Sequence, residues 1–293
     1  MELYLINRMF NNVIIILSEI ALALYPILIK RVPTDLATQT LSRLLTFSVL
    51  AYFLSSSTDV KQTWFTSEGL FRSLGLGLIT LAHVGVSYFA FETLPAGVAM
   101  SLFYFYPIFN LLGGVLGFGE SISLLQGLLV FIAFIGVILV SLSITEGETE
   151  EKSPYQWKGI VAGLAAALTE TFMYFAVRTA KVPNPYFATL ELYPGALLPF
   201  IGMLLASGKQ IDWRPSIWIP MTLFNTFIGF VGYALRFWAI PRVTTVLFSL
   251  LTFIGVIASF SWGYLFAEER PTWMALLGAF LISLGVGFSD APG

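Results

Sequence analysis

Cysteine is absent from this chain, and histidine occurs once, as His83. The missing cysteine excludes disulfide bonds, thiol catalysis and cysteine metal sites. A single histidine excludes a multi-histidine metal site and a relay of two histidines. We therefore expect neither a metal nor another cofactor.

Charged residues are also scarce. They make up 11% of the chain, against about a quarter of an ordinary soluble domain. The net charge is -2, which leaves no basic field for a nucleic acid. Most hydrolases and oxidoreductases would need more polar chemistry than this, so we predict that the chain is not an enzyme.

Apolar residues dominate the sequence: 57% of the 293 residues are hydrophobic, and the mean hydropathy is +0.84. A soluble protein could not hide that much apolar surface. Ten long runs with few charges predict membrane-spanning helices near 10–30, 34–54, 71–91, 95–118, 122–144, 158–179, 185–206, 216–238, 243–266 and 271–289. Because helices satisfy their own backbone in lipid, we predict an all-α, multi-pass integral membrane protein. The sequence does not indicate which membrane.

The two halves of the chain resemble each other. Val32-Pro33 matches Val182-Pro183, Leu116–Glu120 matches Tyr264–Glu268, and Gly136-Val137 matches Gly285-Val286. The pairs keep nearly one offset, half the chain, which indicates an internal repeat. Five helices per copy is an odd number, so the second copy enters the membrane from the opposite face. We predict two inverted five-helix repeats, 1–145 and 158–293, joined by an acidic connector at 146–157 and enclosing a central cavity.

Short motifs in the fourth and ninth spans resemble those of a known family. They are Pro95–Ala99 at the entry of the fourth span, Tyr106-Pro107 within it, and the closing Gly119-Glu120 and Ala267-Glu268. In these residues the chain is similar to the drug/metabolite transporter superfamily, in particular its ten-helix EamA-like branch. The resemblance implies a bundle of two inverted five-helix units that moves small polar or aromatic metabolites. The ninth span departs from the pattern, because it has no proline corresponding to Pro107.

Two glutamates lie near the middle of corresponding spans. Glu19 is in the first span and Glu170 in the sixth. A charge at this depth costs roughly 2.5–3.5 kcal/mol, so such residues are candidates for function. A pair of midplane acids suits a proton site, and Glu19 with its neighbours resembles the essential glutamate of the small multidrug resistance transporters. The alternative is that each glutamate accepts a hydrogen bond at a helix contact.

Arg43 and His83 are further polar residues at mid-depth. Arg43 needs a partner inside the protein, and Glu19 on the preceding helix is the obvious candidate. A structural ion pair and a clamp for a substrate carboxylate both fit Arg43. His83 is either a packing residue or a group that titrates near neutral pH.

Six more residues complete the predicted substrate or proton site: Tyr104, Asn110, Tyr174, Glu191, Asn225 and Arg236. The aromatic members would suit aromatic or cationic solutes. Asn225 and Arg236 share a face of the eighth span, with Arg236 near the mouth of a cavity. Pro194, just after Glu191, is expected to break the seventh span.

The sequence therefore favours a secondary active transporter, an exporter or exchanger of small metabolites such as amino acids or drug-like solutes. Protons are a candidate coupling ion, and the expected partners are the solute and the lipid bilayer, with a monomer favoured. The alternative within transport is a nucleotide-sugar or phosphorylated-sugar antiporter. The alternatives of another class are an integral-membrane enzyme and a channel.

Overall fold

The computed structural model describes residues 2–55, 64–94, 96–142, 156–180, 182–268, 270 and 272–287. Within these residues all regular structure is helical, as predicted. The helices are α1 Glu2–Leu22, α2 Tyr25–Arg31, α3 Leu36–Leu54, α4 Ser67–Thr93, α5 Ala96–Phe103, α6 Tyr106–Phe118, α7 Leu124–Leu142, α8 Gln156–Arg178, α9 Pro185–Leu192, α10 Pro194–Ser207, α11 Pro215–Phe224, α12 Val231–Ala239, α13 Thr245–Thr252, α14 Ile254–Ala267 and α15 Trp273–Gly287. A π-helical segment, Asn225–Phe230, joins α11 to α12, and a 3₁₀ turn, Ile240–Arg242, follows α12. Pro95 and residues 146–155 of the predicted connector lie outside the described residues.

Seven segments of the described chain are long and apolar enough to cross a membrane. They are Met9–Arg31, Ser67–Thr93, Ala96–Phe118, Trp157–Arg178, Pro185–Ser207, Pro215–Arg242 and Thr245–Ala267, and the apolar stretch Leu124–Leu139 is shorter. Two further helices are not among the seven: α3 carries Gln39 and Arg43 among its apolar residues, and α15 has only 15 residues. Helices thus occupy all ten predicted spans and the chain is a multi-pass membrane protein, while ten crossings remain a prediction.

The strongest helix contacts join the first half of the chain to the second. The fifth predicted span packs against the tenth, the fourth against the ninth, and the second against the seventh. The first span packs against the eighth, and the third against the sixth. Exchanging the two halves leaves this set of pairs unchanged, as a twofold relation between them requires.

The fourth and ninth spans both break near their centres. The fourth breaks between α5 and α6, just before Pro107, whose ring cannot continue the hydrogen bonding of a helix. The ninth breaks between α13 and α14, where there is no proline. A Cβ on Gly255 would lie 1.7 Å from the Tyr104 hydroxyl oxygen. The two breaks are therefore packed together, and their close approach requires glycine at 255.

Other irregularities lie in the first, seventh and eighth spans, and the first span breaks between α1 and α2. Tyr193 separates α9 from α10, so the break expected at Pro194 is confirmed. In the eighth span, the π-helical segment widens the helix at Asn225–Phe230. Segments of this type occur frequently at functional sites.

Matching caps begin the second and seventh spans. The Asp35 carboxylate accepts from the Thr38 backbone N–H at 2.9 Å. The Asn184 side chain accepts from the Tyr186 backbone N–H at 2.8 Å. Each cap follows its Val-Pro pair and satisfies N–H groups that the first helical turn leaves free. The local structure of the two halves is thus repeated as well as their sequence.

The loop before the eighth span is attached to the start of α3. The Asp212 backbone N–H donates to Thr38 Oγ1 at 3.0 Å. Hydrogen bonds from Arg214 lower the pKa of Asp212 to about 2. The carboxylate therefore stays charged at neutral pH, although an exposed pair of this kind stabilises a fold only slightly.

Candidate functional site

A buried arginine on the eighth span binds both midplane glutamates. Arg236 donates from Nε to Glu19 Oε1 at 2.9 Å and from Nη2 to Glu19 Oε2 at 2.7 Å. Its Nη1 donates to Glu170 Oε1 at 2.5 Å. All three side chains are buried, and Arg236 is 1% exposed. Arg236 thus lies at the centre of the bundle, and the sequence-based position near a cavity mouth is wrong.

Two tyrosines from the break in the fourth span complete the surroundings of Glu19. The Tyr104 hydroxyl donates to Glu19 Oε2 at 2.6 Å, and the Tyr106 hydroxyl lies 3.5 Å from the same atom. The Arg236 guanidinium also lies over the Tyr106 ring, 5.4 Å from its centre. The break between α5 and α6 therefore points two hydroxyl-bearing rings at one carboxylate.

His83 contacts the other glutamate. Its Nε2 lies 3.3 Å from Glu170 Oε2 and 3.4 Å from the Tyr233 hydroxyl. Its Nδ1 lies 3.2 Å from Thr169 Oγ1. His83 belongs to the third span and Glu170 to the sixth, so the contact joins the two halves. We call Glu19, His83, Tyr104, Glu170 and Arg236 the central cluster.

Arg43 lies beside the central cluster in a cage of aromatic rings. Its guanidinium carbon is 4.7 Å from the centre of the Tyr25 ring and 4.9 Å from that of Tyr233. The rings of Phe47, Tyr88 and Tyr193 lie at 5.3, 5.7 and 5.7 Å. Such contacts stabilise a cation without neutralising it.

The partner that the sequence predicted for Arg43 is wrong. Glu19 is taken by Arg236, which reaches it from the eighth span. Arg43 donates instead from Nη2 to the Tyr193 hydroxyl at 2.8 Å. Its Nε is buried and has no hydrogen-bond partner in the described part of the chain.

A small cavity separates the two arginines. Arg43, Arg236 and His83 line it together with Tyr25, Ser87 and Tyr233, and Leu22, Phe91, Met100 and Phe103 add an apolar wall. Its volume is ≈ 20 Å³, enough for about one water molecule. This conformation therefore offers too little space between the two arginines for a solute.

A second polar network lies at the ends of three helices. The Glu120 carboxylate forms an ion pair with Arg178 and accepts from Thr245 Oγ1 at 2.9 Å. Arg178 donates to the Tyr174 hydroxyl and to the Val243 carbonyl, both at 3.1 Å. We call Glu120, Tyr174, Arg178 and Thr245 the end network. It joins the end of the fourth span, the end of the sixth and the start of the ninth.

Comparison with known proteins identifies the family. The model of the EamA-like transporter family matches residues 9–142 and again residues 157–289. The chain belongs to the EamA-like transporter family. The double match follows the two halves seen in the sequence. The resemblance inferred from the fourth and ninth spans is confirmed.

Two individual proteins show a distant similarity to this EamA-like chain. An uncharacterized transporter of Synechocystis sp. (strain ATCC 27184 / PCC 6803 / Kazusa) is 25% identical over 182 residues, 59% of this chain and 52% of the relative. The match thus spans about half the length of that relative. A crystal structure of a protein aligns with 96% of this chain and 98% of its own, at a TM-score of 0.69 and 16% identity. That likeness shows a shared fold.

The other predicted site residues of this EamA-like chain lie apart from the central cluster. Tyr174 is in the end network, and Glu191 pairs with Arg72 at 2.7 Å. Asn225 lies between the Tyr25 hydroxyl and Ser42 Oγ, at 3.2 Å from each. Asn110 is fully buried, and neither of its amide atoms has a hydrogen-bond partner among the described residues.

Three tyrosines were missed by the sequence reasoning: Tyr25, Tyr88 and Tyr233. A signal existed for two of them. Tyr233 lies three residues before Arg236 and shares its helix face, while Tyr25 directly precedes Pro26 at the break between α1 and α2. In the described residues, no group of three or more potential ligands could hold a metal ion.

Proposed function

We propose that this membrane transporter is a secondary active exporter or exchanger of small metabolites that works by alternating access. The proposal includes ten membrane-spanning helices in two inverted five-helix repeats, 1–145 and 158–293, joined by the connector 146–157. The observation that carries it is that two acids from corresponding spans, Glu19 and Glu170, bind one guanidinium at the centre.

Equivalent positions that contact each other support the inverted repeat. Arg43 bonds to Tyr193 and His83 contacts Tyr233, and both pairs are 150 positions apart. Residues related by a twofold axis can touch only where they lie next to that axis. The axis would thus run beside the central cluster, and small changes there would act on both halves. Two inverted copies can exchange conformations, so that the protein opens to one side and then to the other.

The charges of the central cluster support proton coupling. Two carboxylates share one guanidinium, and His83 Nε2 lies 3.3 Å from Glu170. A proton taken up by His83 or by either acid changes the net charge of a buried group. Such a change alters the energy of holding the two halves together, because buried charges must be balanced.

The test is solute flux in proteoliposomes under an imposed pH gradient. A thermal-shift screen of amino acids and drug-like solutes first selects a solute that stabilises the purified protein. We expect saturable flux that depends on the gradient in the wild type. We expect Glu19→Gln and Glu170→Gln to abolish that dependence and the exposed control Glu92→Gln to keep it.

Two outcomes would count against the proposal. Flux that ignores the pH gradient and persists in both glutamine variants would contradict proton coupling. Conductance that does not saturate and shows no counter-transport would contradict alternating access and favour a channel.

A further inference from the structure

Arg43 is a buried cation that forms no ion pair in the described part of the chain. It is 2% exposed, and it donates a hydrogen bond from Nη2 to the neutral hydroxyl of Tyr193. The two midplane acids are both bound by Arg236. Tyr193 is also the position that corresponds to Arg43 in the second half, so the repeat supplies no counter-charge.

The surroundings of Arg43 keep it charged and leave it able to bind an anion. Five aromatic rings lie within 5.7 Å of its guanidinium carbon. These rings stabilise the positive charge by their electron-rich faces and leave it in place. The Nε–H of Arg43 has no acceptor among the residues that the structure describes, although buried donors are nearly always bonded.

We propose that Arg43 binds the carboxylate of the transported solute, which is thus a small organic acid or amino acid. The inference rests on the proposed transport function and names the substrate class of that site. A carboxylate can take two hydrogen bonds from one edge of a guanidinium. The free Nε–H is half of such an edge, and the neighbouring Nη2 now bonded to Tyr193 is the other half.

The cavity beside Arg43 defines the rest of the solute. Its other wall is formed by Leu22, Phe91, Met100 and Phe103. Apolar and aromatic side chains favour a body of the same kind. The cavity of ≈ 20 Å³ is too small for such a solute, so binding requires the opening that alternating access supplies.

Arg236 is less suited to this role. Its three donor groups are already directed at Glu19 and Glu170, so an incoming anion would meet two carboxylates. A single unpaired guanidinium also suits one carboxylate better than a diphosphate, which usually takes several cations. The single cation Arg43 therefore favours an organic acid as the substrate over a nucleotide sugar, which was the alternative substrate class from the sequence.

The experiment measures the melting temperature of purified protein in chloride-free buffer with matched probes. The acids are acetate, isovalerate and phenylacetate, and the controls are methyl phenylacetate and benzylamine. We expect at least one acid to raise the wild-type Tm by several degrees at about 100 times its Kd, with no effect of the ester or amine. Arg43→Gln should lose the shift, and Arg43→Lys should keep part of it.

Matched variants keep the test decisive. Arg72→Gln removes an arginine whose side chain is 36% exposed and pairs with Glu191, and it should keep the full shift. Tyr193→Phe removes the acceptor of Arg43 but keeps the guanidinium, so it should bind the acid at least as well as the wild type. If Arg43→Gln does not fold, Arg43→Lys decides the matter, because a full wild-type shift in that variant would place the acid elsewhere.

The result that overturns the inference is the absence of any acid-specific shift in the wild type, or a shift that survives in Arg43→Gln. Failure of the transport proposal looks different. Acid binding that depends on Arg43, without flux in proteoliposomes, would contradict the transport proposal and support the binding site. Saturable flux of an amine or ester, without acid binding, would support the transport proposal and contradict the carboxylate site at Arg43.

Discussion

At the scale of single residues, the centre of this protein depends on one arginine serving two acids. Arg236 makes three hydrogen bonds to carboxylate oxygens while being 1% exposed. Burying these charges is costly, and the arrangement holds because each charge has a partner and directed hydrogen bonds. Removing one member leaves the others unbalanced in a medium of low dielectric constant.

Arg236→Gln should therefore destabilise the protein by about 3–5 kcal/mol, the usual cost of breaking a buried pair from one side. Arg236→Lys should recover part of this loss, because it restores the charge but not the planar set of donors. The measurement is equilibrium unfolding in mixed micelles. Arg242→Gln, at the exposed end of the same span, is the control and should change little; equal losses in the two glutamine variants would contradict the assigned role.

The sequence predicted the residues of the central cluster better than their pairing. Glu19 and Glu170 stood out because charges are rare in long apolar runs, and this signal is local. The partner of Glu19 depends on which helices pack together, and the first span packs against the eighth. Hence Arg43, close along the chain, was the wrong partner, and Arg236, distant along the chain, was the true one.

At the scale of the elements, the broken helices bring polar groups to the centre. The breaks in the fourth and ninth spans lie against each other, with Tyr104 fitted over Gly255. Pro107 accounts for the first break, since proline removes a backbone donor, although the sequence prediction named only Pro194 as a helix breaker. The second break was not predictable from the sequence. It is accompanied by the packing of Tyr104 from another span and by no local residue type that breaks helices.

Gly255→Ala tests this contact. The added methyl group would meet the Tyr104 hydroxyl oxygen at 1.7 Å, and overpacking of this kind costs about 1–3 kcal/mol. It should also displace the hydroxyl that donates to Glu19, so transport should fall together with stability. Thermal unfolding and solute flux provide the two measurements.

Gly85→Ala is the matched control, because a Cβ there meets nothing within 4 Å. Alanine should stabilise the helix α4 slightly, by about 0.5–1 kcal/mol. A Gly255→Ala protein as stable and active as this control would show that the two breaks are not in close contact.

The ends of the fourth and ninth spans refine the correspondence between the two halves. The sequence paired Glu120 with Glu268, because both close an apolar run. In the structure Gly119 caps the end of α6 with φ 63°, and Glu268 caps the end of α14 with φ 58°. The equivalent of Glu268 is therefore Gly119, one residue earlier, since the left-handed cap and not the charge marks the end.

At the scale of the whole molecule, the end network holds one end of the bundle together. Glu120 and Arg178 come from different halves of the chain and are each 19% exposed. Thr245 and Tyr174 extend their contact to the start of the ninth span and along the sixth. In the proposed mechanism, this end must separate when the protein opens on that side.

Glu120→Gln or Arg178→Gln should thus favour opening at this end. The natural absence of cysteine allows a single probe to be introduced at the buried Ser249, close to the network along α13. We expect its labelling rate to rise about tenfold if the network contributes about 1.4 kcal/mol to closure. A probe at Ser259, in the opposite half of the ninth span, should label more slowly in the same variants.

Opposite changes at the two probes are the diagnostic result, because alternating access closes one end as the other opens. If both probes labelled faster, the substitutions would merely loosen the bundle. The charge-reversed double variant Glu120→Arg with Arg178→Glu should restore the wild-type rates at both positions.

The contacts between equivalent positions also bear on ancestry. In a dimer of two identical five-helix subunits, position 43 would face its own copy, and two arginines would repel each other at close range. Joining two gene copies into one polypeptide removes this constraint, because each side of the axis can then mutate alone. Arg43 can face Tyr193, His83 can face Tyr233, and a single Arg236 can bind an acid from each half. The asymmetric chemistry at the centre is thus available to a single chain and closed to a symmetric dimer of identical units.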